Sequence, residues 1–290
     1  MELVVCPQKN NRLQDYEKGK SVAFLFALAN FSSSYENTYT LEEIKSIRAK
    51  APDVKIFLAL NKLFVEEDLP SLQSTLEEIE KLSIQGIFFY DMAVPQLKNK
   101  LDLKTPLVWN QTHMVTNYQT GEYFVQQGVE GLYLSNEITT DEKIRIKNQS
   151  QAFCFTLLFG YPVVATSRRP LITNAGSFLK RTLQNPLNII EPISKQPYQV
   201  REDQSGTSFY YHELLNTTKE VRPLADNGID YGILIEESSV DHNEFLRILA
   251  GFQEGLTTDN IDLWQLKMNT MIHSRYEGFA NTKTIYKVKK

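Results

Sequence analysis

The chain has 290 residues, of which 42% are hydrophobic, and it carries 16 Phe and 14 Tyr. This length and composition suffice for one barrel-sized domain or two smaller ones, and they exclude a largely disordered chain. The net charge is −4 and the pI is about 5.7, whereas general polyanion-binding proteins usually carry a basic excess. The overall charge therefore argues against that class and leaves only a local basic patch open.

The first residues lead directly into the apolar segment 3–6, without the basic region and long apolar core of a signal peptide. The longest apolar stretch, residues 22–29, is much shorter than the ~18 residues that a membrane span needs. We therefore expect a cytoplasmic protein without membrane contact.

Short apolar segments rich in Val, Ile, Phe and Leu recur along the chain, as expected for strands that are buried on both faces. The strand candidates in chain order are Leu3–Cys6, Val22–Ala27, Ile56–Leu60, Ile87–Tyr90, Leu107–Trp109, Leu132–Leu134, Ala152–Leu158 and Ile233–Ile235. Eight strands of this kind point to a parallel sheet or barrel.

Helical patterns lie between most of these strands. The predicted helices are Leu41–Lys50, Leu69–Leu82, Tyr118–Gln127, Thr140–Lys147 and Asn243–Gln253, with one more near Leu263–Met271 before an extended end to Lys290. Thr40 and Glu43 have the spacing of a capping box at the first of them. Gly128 and Gly228 stand where helices commonly end.

Alternating strands and helices predict a TIM-like (β/α)8 barrel. A doubly wound open sheet is the alternative, but the chain has no Gly-x-Gly-x-x-Gly turn to support it. The spacing breaks once, because about 75 residues separate the seventh strand from the eighth.

We interpret residues 161–212 as a β-rich inserted subdomain or elaborated loop, and residues 1–160 and 213–290 as the barrel with its C-terminal helices. Strand-like pieces occur at Asn188–Ile193, Tyr198–Glu202 and Ser208–Tyr211. Asp203-Gln-Ser-Gly206 is suited to a turn between the last two.

Polar residues directly after the strands are site candidates, since the strand C-termini of such barrels build the site. Asn61 and Asp91 follow the third and fourth strands, and Asn110 and His113 follow the fifth. Helix N-capping by Asn61 and Asp91 is the alternative interpretation. For His113 the alternative is an ordinary loop histidine with satisfied hydrogen bonds.

Charged residues add a second set of candidates. Glu137 and Glu236 follow the sixth and eighth strands and are expected to face one cavity, where they could share a proton or bind a cation; a solvated rim is the alternative. Arg168 and Arg169 open the insertion and could clamp a carboxylate or phosphate, or instead form a salt bridge to Glu137 or Glu236.

From these candidates we assign catalytic roles to Asp91, His113 and Glu236. The ligand-binding candidates are Asn61, Asn110, Glu137, Arg168 and Arg169. Cys6 and Cys154 both lie in apolar strand candidates and are expected to be buried thiols. Because an iron–sulfur cluster usually takes four thiolates, we expect no such cluster, and we assign no metal ligands.

Several segments together resemble one known family. They are residues 57–69, 89–94, 109–118, 134–142, 227–236 and 282–289. In order and spacing they resemble the peptidase U32 family, the collagenase-like protease group, and within it the short form that is paired with a longer paralogue in Gram-positive bacteria. This resemblance implies hydroxylation of tRNA or rRNA bases or of quinone precursors, often with an iron–sulfur cluster.

The sequence also departs from the family pattern. The cluster-binding cysteines expected after the seventh strand are absent. Glu236 is kept, but Leu234 replaces the family's lysine, and Glu237-Ser238 replaces its Gly-Arg. Thr112 stands where the short form has a glutamate.

Three functional hypotheses follow. The first is an enzyme or enzyme subunit in RNA base (tRNA) hydroxylation that binds a small polar or anionic molecule at the barrel top, with tRNA and a longer paralogue as partners. The second is a non-catalytic partner of that paralogue. The third is a true protease, although the chain has no Gly-x-Ser-x-Gly, Walker or His-Glu-x-x-His motif.

Overall fold

The computed structural model of the protein describes residues 1–9, 11–16, 22–274 and 276–282. The expected extended end, and with it most of the family-like segment 282–289, lies outside these residues. None of the described helices is both long enough and apolar enough to cross a membrane.

Fourteen strands are found in the described residues. They are β1 (Glu2–Cys6), β2 (Ala23–Leu28), β3 (Thr38–Tyr39), β4 (Ile56–Leu60), β5 (Gly86–Phe89), β6 (Leu107–Trp109), β7 (Gly131–Tyr133), β8 (Phe153–Gly160), β9 (Val163–Ser167), β10 (Leu187–Ile190), β11 (Pro197–Asp203), β12 (Gly206–Tyr211), β13 (Leu215–Asn216) and β14 (Tyr231–Ile235). Eight of them form the barrel and four form a separate sheet.

The barrel is parallel and closed. Its hydrogen-bonded order is β1, β2, β4, β5, β6, β7, β8 and β14, and β14 pairs back onto β1. Val4 of β1 pairs with Ala23 on one side and Ile233 on the other, which shows the closure at one level. The predicted TIM-like (β/α)8 barrel with an insertion after the seventh barrel strand is confirmed.

Ten helices accompany the strands in the described part of the chain. They are α1 (Leu13–Tyr16), α2 (Leu41–Lys50), α3 (Leu69–Glu80), α4 (Ala93–Lys100), α5 (Tyr118–Gln126), α6 (Thr140–Gln149), α7 (Leu171–Leu179), α8 (Val221–Asp226), α9 (His242–Gly255) and α10 (Ile261–Met271). The capping box of Thr40 and Glu43 is present, with the Glu43 N–H 3.2 Å from Thr40 Oγ1.

Aromatic side chains fill the amino-terminal half of the barrel interior. The rings of Phe57, Phe88 and Phe155 pack edge to face with centroids 4.9–5.8 Å apart. Tyr231 stacks on Phe155 at 4.5 Å. Small residues such as Ala23 and Ala59 share this interior, so the large rings fit without crowding. These side chains therefore fill the amino-terminal half of the barrel interior.

The insertion forms an antiparallel sheet with the strand order β10, β11, β12, β9. The predicted pieces at 188–193, 198–202 and 208–211 correspond to β10, β11 and β12, whereas β9 and helix α7 were not predicted. The sequence around the first turn of α7 offers no N-cap, because the N-cap residue Pro170 makes no side-chain hydrogen bond. Its cap comes from β11, where the Glu202 carboxylate accepts the N–H groups of Ile172 (2.7 Å) and Thr173 (3.2 Å).

Alternation along β11 points its side chains to opposite faces of the sheet. Glu202 faces α7, and its neighbour Arg201 faces the barrel, where it reaches Glu36 and Glu237. The insertion thus lies across the barrel top with α7 on its outer side. It returns through β13, which pairs antiparallel with β8 so that Leu215 lies opposite Gly160.

Candidate functional site

A cavity of about 300 Å³ lies between the carboxyl ends of the barrel strands and the inserted sheet. Its lining combines many hydroxyl and amide groups with apolar side chains such as Ile233 and Ile235, and Arg168 lies on the side of the insertion. The polar lining residues include Ser33, Ser34, Tyr35, Asn61, Tyr90, Asn110, Thr112, His113, Tyr133, Asn136, Tyr161, Ser167, Thr207, Ser208, Tyr210 and Glu237. This is the place where TIM barrels carry their sites.

Four of the predicted site residues line this cavity, namely Asn61, Asn110, His113 and Arg168. Asn61 also fixes the loop after β2, because its Oδ1 accepts the Ser33 N–H (3.1 Å) and its Nδ2 donates to the Ser33 carbonyl (3.2 Å). Its contact is therefore with a neighbouring loop, not with the start of a helix.

Asn110 and His113 approach the cavity from the strand that precedes them, β6. Asn110 is buried, and its side chain lies near the Tyr35 hydroxyl, where it acts against the rise that burial causes in the pKa of Tyr35. His113 Nδ1 lies 3.2 Å from Glu137 Oε1, and both side chains are partly exposed. His113 is thus a cavity residue with a carboxylate beside it.

Asp91, Glu137 and Arg169 do not line the cavity. The Asp91 carboxylate accepts the N–H groups of Phe64 (3.0 Å) and Ala93 (2.9 Å), so it joins the loop after β4 to the start of α4. Arg169 is exposed outside the cavity. The ion pairs of Arg168 and Arg169 with Glu137 or Glu236, which were the alternative interpretation, are not found among the described residues.

Glu236 also points away from the cavity, so the expectation that Glu137 and Glu236 face one cavity is wrong. The Glu236 carboxylate accepts the Tyr16 hydroxyl (2.5 Å), the Gln8 N–H (2.9 Å) and the Asn11 amide (3.0 Å), and it lies 2.7 Å from His242 Nδ1. Burial and this carboxylate raise the pKa of Tyr16. The cluster fixes α1 and α9 against the ends of β1 and β14.

The next residue, Glu237, faces the cavity instead and was missed in the sequence. Its carboxylate accepts the Tyr161 N–H (3.1 Å) and lies 3.2 Å from Arg201 Nη1. Arg201 Nη1 is also 2.8 Å from Glu36 Oε1. The guanidinium lies over the Tyr210 ring at 4.6 Å from its centroid, a cation–π contact.

Burial sets the protonation of Glu237. It raises the pKa of this carboxyl to about 7, although Arg201 acts in the opposite direction. The sequence did contain a signal for this residue. Successive side chains at a strand end alternate in direction, so with Glu236 turned outward, Glu237 turns inward.

Three cavity tyrosines, Tyr35, Tyr133 and Tyr210, keep neutral hydroxyl groups. Burial is the main cause, and it raises the pKa of each well above its ordinary value. At neutral pH these hydroxyls can therefore donate hydrogen bonds to a polar or anionic ligand.

The two cysteines do not fit an iron–sulfur cluster. Cys6 points into the barrel interior, whereas Cys154 lies between the barrel and its helices. Both are buried, and burial raises the pKa of Cys154 to about 12 and that of Cys6 further. Two protonated thiols in separate layers cannot supply the thiolate set that holds such a cluster.

The fold and cavity together define a TIM-like barrel protein with a polar site under an inserted sheet. The sequence profile of peptidase family U32 matches residues 23–240, and the chain belongs to this family. The resemblance seen in the sequence is thereby confirmed.

Two comparisons describe its relatives. The chain is 21% identical over 238 residues to the tRNA hydroxylation protein P2 of Bacillus subtilis (strain 168), covering 79% of this chain and 77% of that protein. It is similar in structure to the U32 peptidase Mk0906, with a TM-score of 0.53 and 11% identity over 82% of this chain and 93% of the other. At that identity the second comparison shows the shared fold alone.

Proposed function

We propose that this protein takes part in the hydroxylation of a tRNA base and binds a small polar or anionic molecule in the cavity under the insertion. The observation that carries the proposal is the cavity itself, with its hydroxyl-rich lining and Arg168. The choice of reaction is supported by the relative named as a tRNA hydroxylation protein.

The cavity groups have complementary tasks in this proposal. Tyr35, Tyr133 and Tyr210 donate hydrogen bonds, and Asn110 lies beside the Tyr35 hydroxyl. Glu237 is the acid–base candidate, because its pKa of about 7 lets it hold or release a proton near neutral pH. Arg201 positions Glu237 and does not itself line the cavity.

Filling the cavity tests the proposal. Ala165 is an exposed residue of β9 that lines the cavity. Ala165→Trp should occupy ligand space without removing a hydrogen bond. In cells whose own copy is deleted, we expect this variant to leave the hydroxylated nucleoside at the deletion level, as measured by mass spectrometry of tRNA digests.

The matched control is Ala49→Trp, at an exposed position of α2 away from the cavity. It should restore the nucleoside fully, and both variants should melt like the wild type. Full restoration by Ala165→Trp, or a nucleoside profile that does not change on deletion, would contradict the proposal.

A supporting role beside a longer family member is the second candidate function. The observation that favours it is the burial of the chain's two cysteines in separate layers, which leaves cluster chemistry to another chain. Co-purification of the tagged protein with such a paralogue would favour this role, and a monomer with activity of its own would exclude it.

A further inference from the structure

Charge is distributed unevenly along the chain. Residues 161–212 contain six Lys or Arg and three Asp or Glu, although the whole chain has a net charge of −4. The insertion is therefore a basic segment in an acidic protein.

The acidic side chains of the insertion already have hydrogen-bond partners within it. The carboxylates accept backbone N–H groups: Glu191 from Ile193 (2.9 Å), Glu202 from Ile172 (2.7 Å) and Asp203 from Ser205 (2.7 Å). They hold turns and the start of α7, and their lone pairs are engaged there.

The basic side chains of the insertion are in a different situation. Arg201 is held between Glu36 and Glu237. The remaining five are exposed, and across the described ranges none of them lies within 4.0 Å of a carboxylate. They are Arg168, Arg169, Lys180, Arg181 and Lys195. Arg168 acts on Asp68 only at longer range, where it helps to lower the pKa of that carboxyl. Five exposed cations outside close ion pairs favour an anionic partner.

Four of these cations flank α7, two before its first residue and two after its last. Its nine residues span about 14 Å. In its last turn, Phe178 is 86% exposed and Leu179 is 50% exposed. Exposed aromatic rings beside cations are the combination with which proteins bind single-stranded nucleic acid, by base stacking and phosphate contacts.

We propose that Arg168, Arg169, Phe178, Lys180 and Arg181, here called the α7 surface, bind the RNA substrate. Arg168 also lines the cavity, so the α7 surface is continuous with the cavity. RNA held along α7 would meet the cavity at Arg168, where one unstacked base would enter it. The identification of this RNA as tRNA rests on the proposed function.

Charge reversal tests the α7 surface. The probe is unmodified tRNA transcript with the purified full chain, titrated by fluorescence anisotropy at several salt concentrations. We expect Lys180→Glu with Arg181→Glu to weaken binding at least about tenfold and to lower the salt slope by about two. Phe178→Ala should weaken binding by about tenfold with an unchanged slope, because stacking releases no counterions.

The control is Lys50→Glu with Lys100→Glu, two exposed lysines on α2 and α4 with the same change in charge. It should bind tRNA like the wild type. Equal weakening by both double variants, or no binding of tRNA by the wild type, would overturn the inference. The inference would also be overturned if Lys180→Glu with Arg181→Glu kept the wild-type affinity for tRNA but lost binding to a protein partner.

These results are separable from the proposed function. If the α7 surface fails this test, the nucleoside profile of Ala165→Trp cells still reports on the cavity. If instead the cavity variant is fully active while charge reversal abolishes tRNA binding, the α7 surface stands and the cavity proposal falls.

Discussion

The buried carboxyl group of Glu237 lies between the Arg201 guanidinium and the cavity, and a small change in pH near neutrality changes its charge. Its side chain is 4% exposed, and burial raises its pKa to about 7. A group of this kind changes protonation within the physiological range, unlike an ordinary surface glutamate.

The stability of the protein should report this titration. Because the folded pKa lies above the ordinary 4.5, the folded state binds the proton more tightly. The free energy of unfolding should therefore fall as pH rises from 4.5 to about 7, by up to about 3 kcal/mol. Glu237→Gln should remove most of this fall in urea unfolding measured from pH 5 to pH 8.

Glu67→Gln, at an exposed position, is the control and should keep the wild-type pH dependence. If Glu237→Gln shows the same fall as Glu67→Gln, the carboxyl is not titrating near neutral pH.

For single residues, the sequence indicated cavity positions best where a polar residue directly follows a strand. Asn61 and Asn110 were predicted by that position, and they line the cavity. Glu236 was predicted by the same rule and points elsewhere, since side-chain direction at a strand end depends on register. Arg201 could not be found, because it contacts Glu237 from the inserted sheet, 36 residues earlier in the chain, and no local pattern marks that contact.

Among the elements, the hairpin of β11 and β12 organises the inserted sheet, because β12 also pairs with the edge strand β9. Gly206 opens β12 with a φ of +127°, a conformation that favours glycine. A Cβ at this position would lie 2.0 Å from the Ser167 carbonyl oxygen and 2.7 Å from Arg168 Cα. The turn and the position of Arg168 therefore depend on this glycine.

Gly206→Ala should loosen the insertion while the barrel stays folded. We expect faster hydrogen exchange across residues 163–211 and unchanged protection of the barrel strands. Gly128→Ala is the matched control: its φ is +84° but a Cβ there has no neighbour within 4 Å. Gly128→Ala should lower the free energy of unfolding by only about 1–2 kcal/mol. Uniform exchange changes in both variants would contradict this role of Gly206.

Helices whose capping residues are adjacent in sequence were predicted, whereas a helix capped by a distant residue was not. Helix α2 carries its own capping box, and its predicted range of residues 41–50 agrees with the structure. Helix α7 is capped by Glu202, some 30 residues further along the chain. No window of sequence around α7 contains that interaction.

For the whole molecule, the placement of the cysteines leads to a prediction about iron. We expect protein purified without oxygen to be colourless, with iron far below one atom per chain, because Cys6 and Cys154 lie in different layers. Metal analysis with an absorption spectrum measures this directly. Brown protein with several irons per chain would show that other residues or a partner supply ligands.

The barrel as a whole was readable from the alternation of strands and helices, because each unit repeats the same local pattern. How the insertion lies on the barrel was not readable. That arrangement depends on single contacts between distant residues, such as Ser34 Oγ with Ser208 Oγ at 2.8 Å.

The pairing of Leu215 with Gly160 brings the two ends of the insertion together on β8. A segment whose ends already meet can change in length or sequence at little entropic cost to the rest of the fold. A shortened chain that joins β8 to β13 by a tight turn would keep all eight barrel strands. The insertion can therefore be exchanged or remodelled as one unit in evolution, with its cavity-lining residues, while every barrel strand keeps its register.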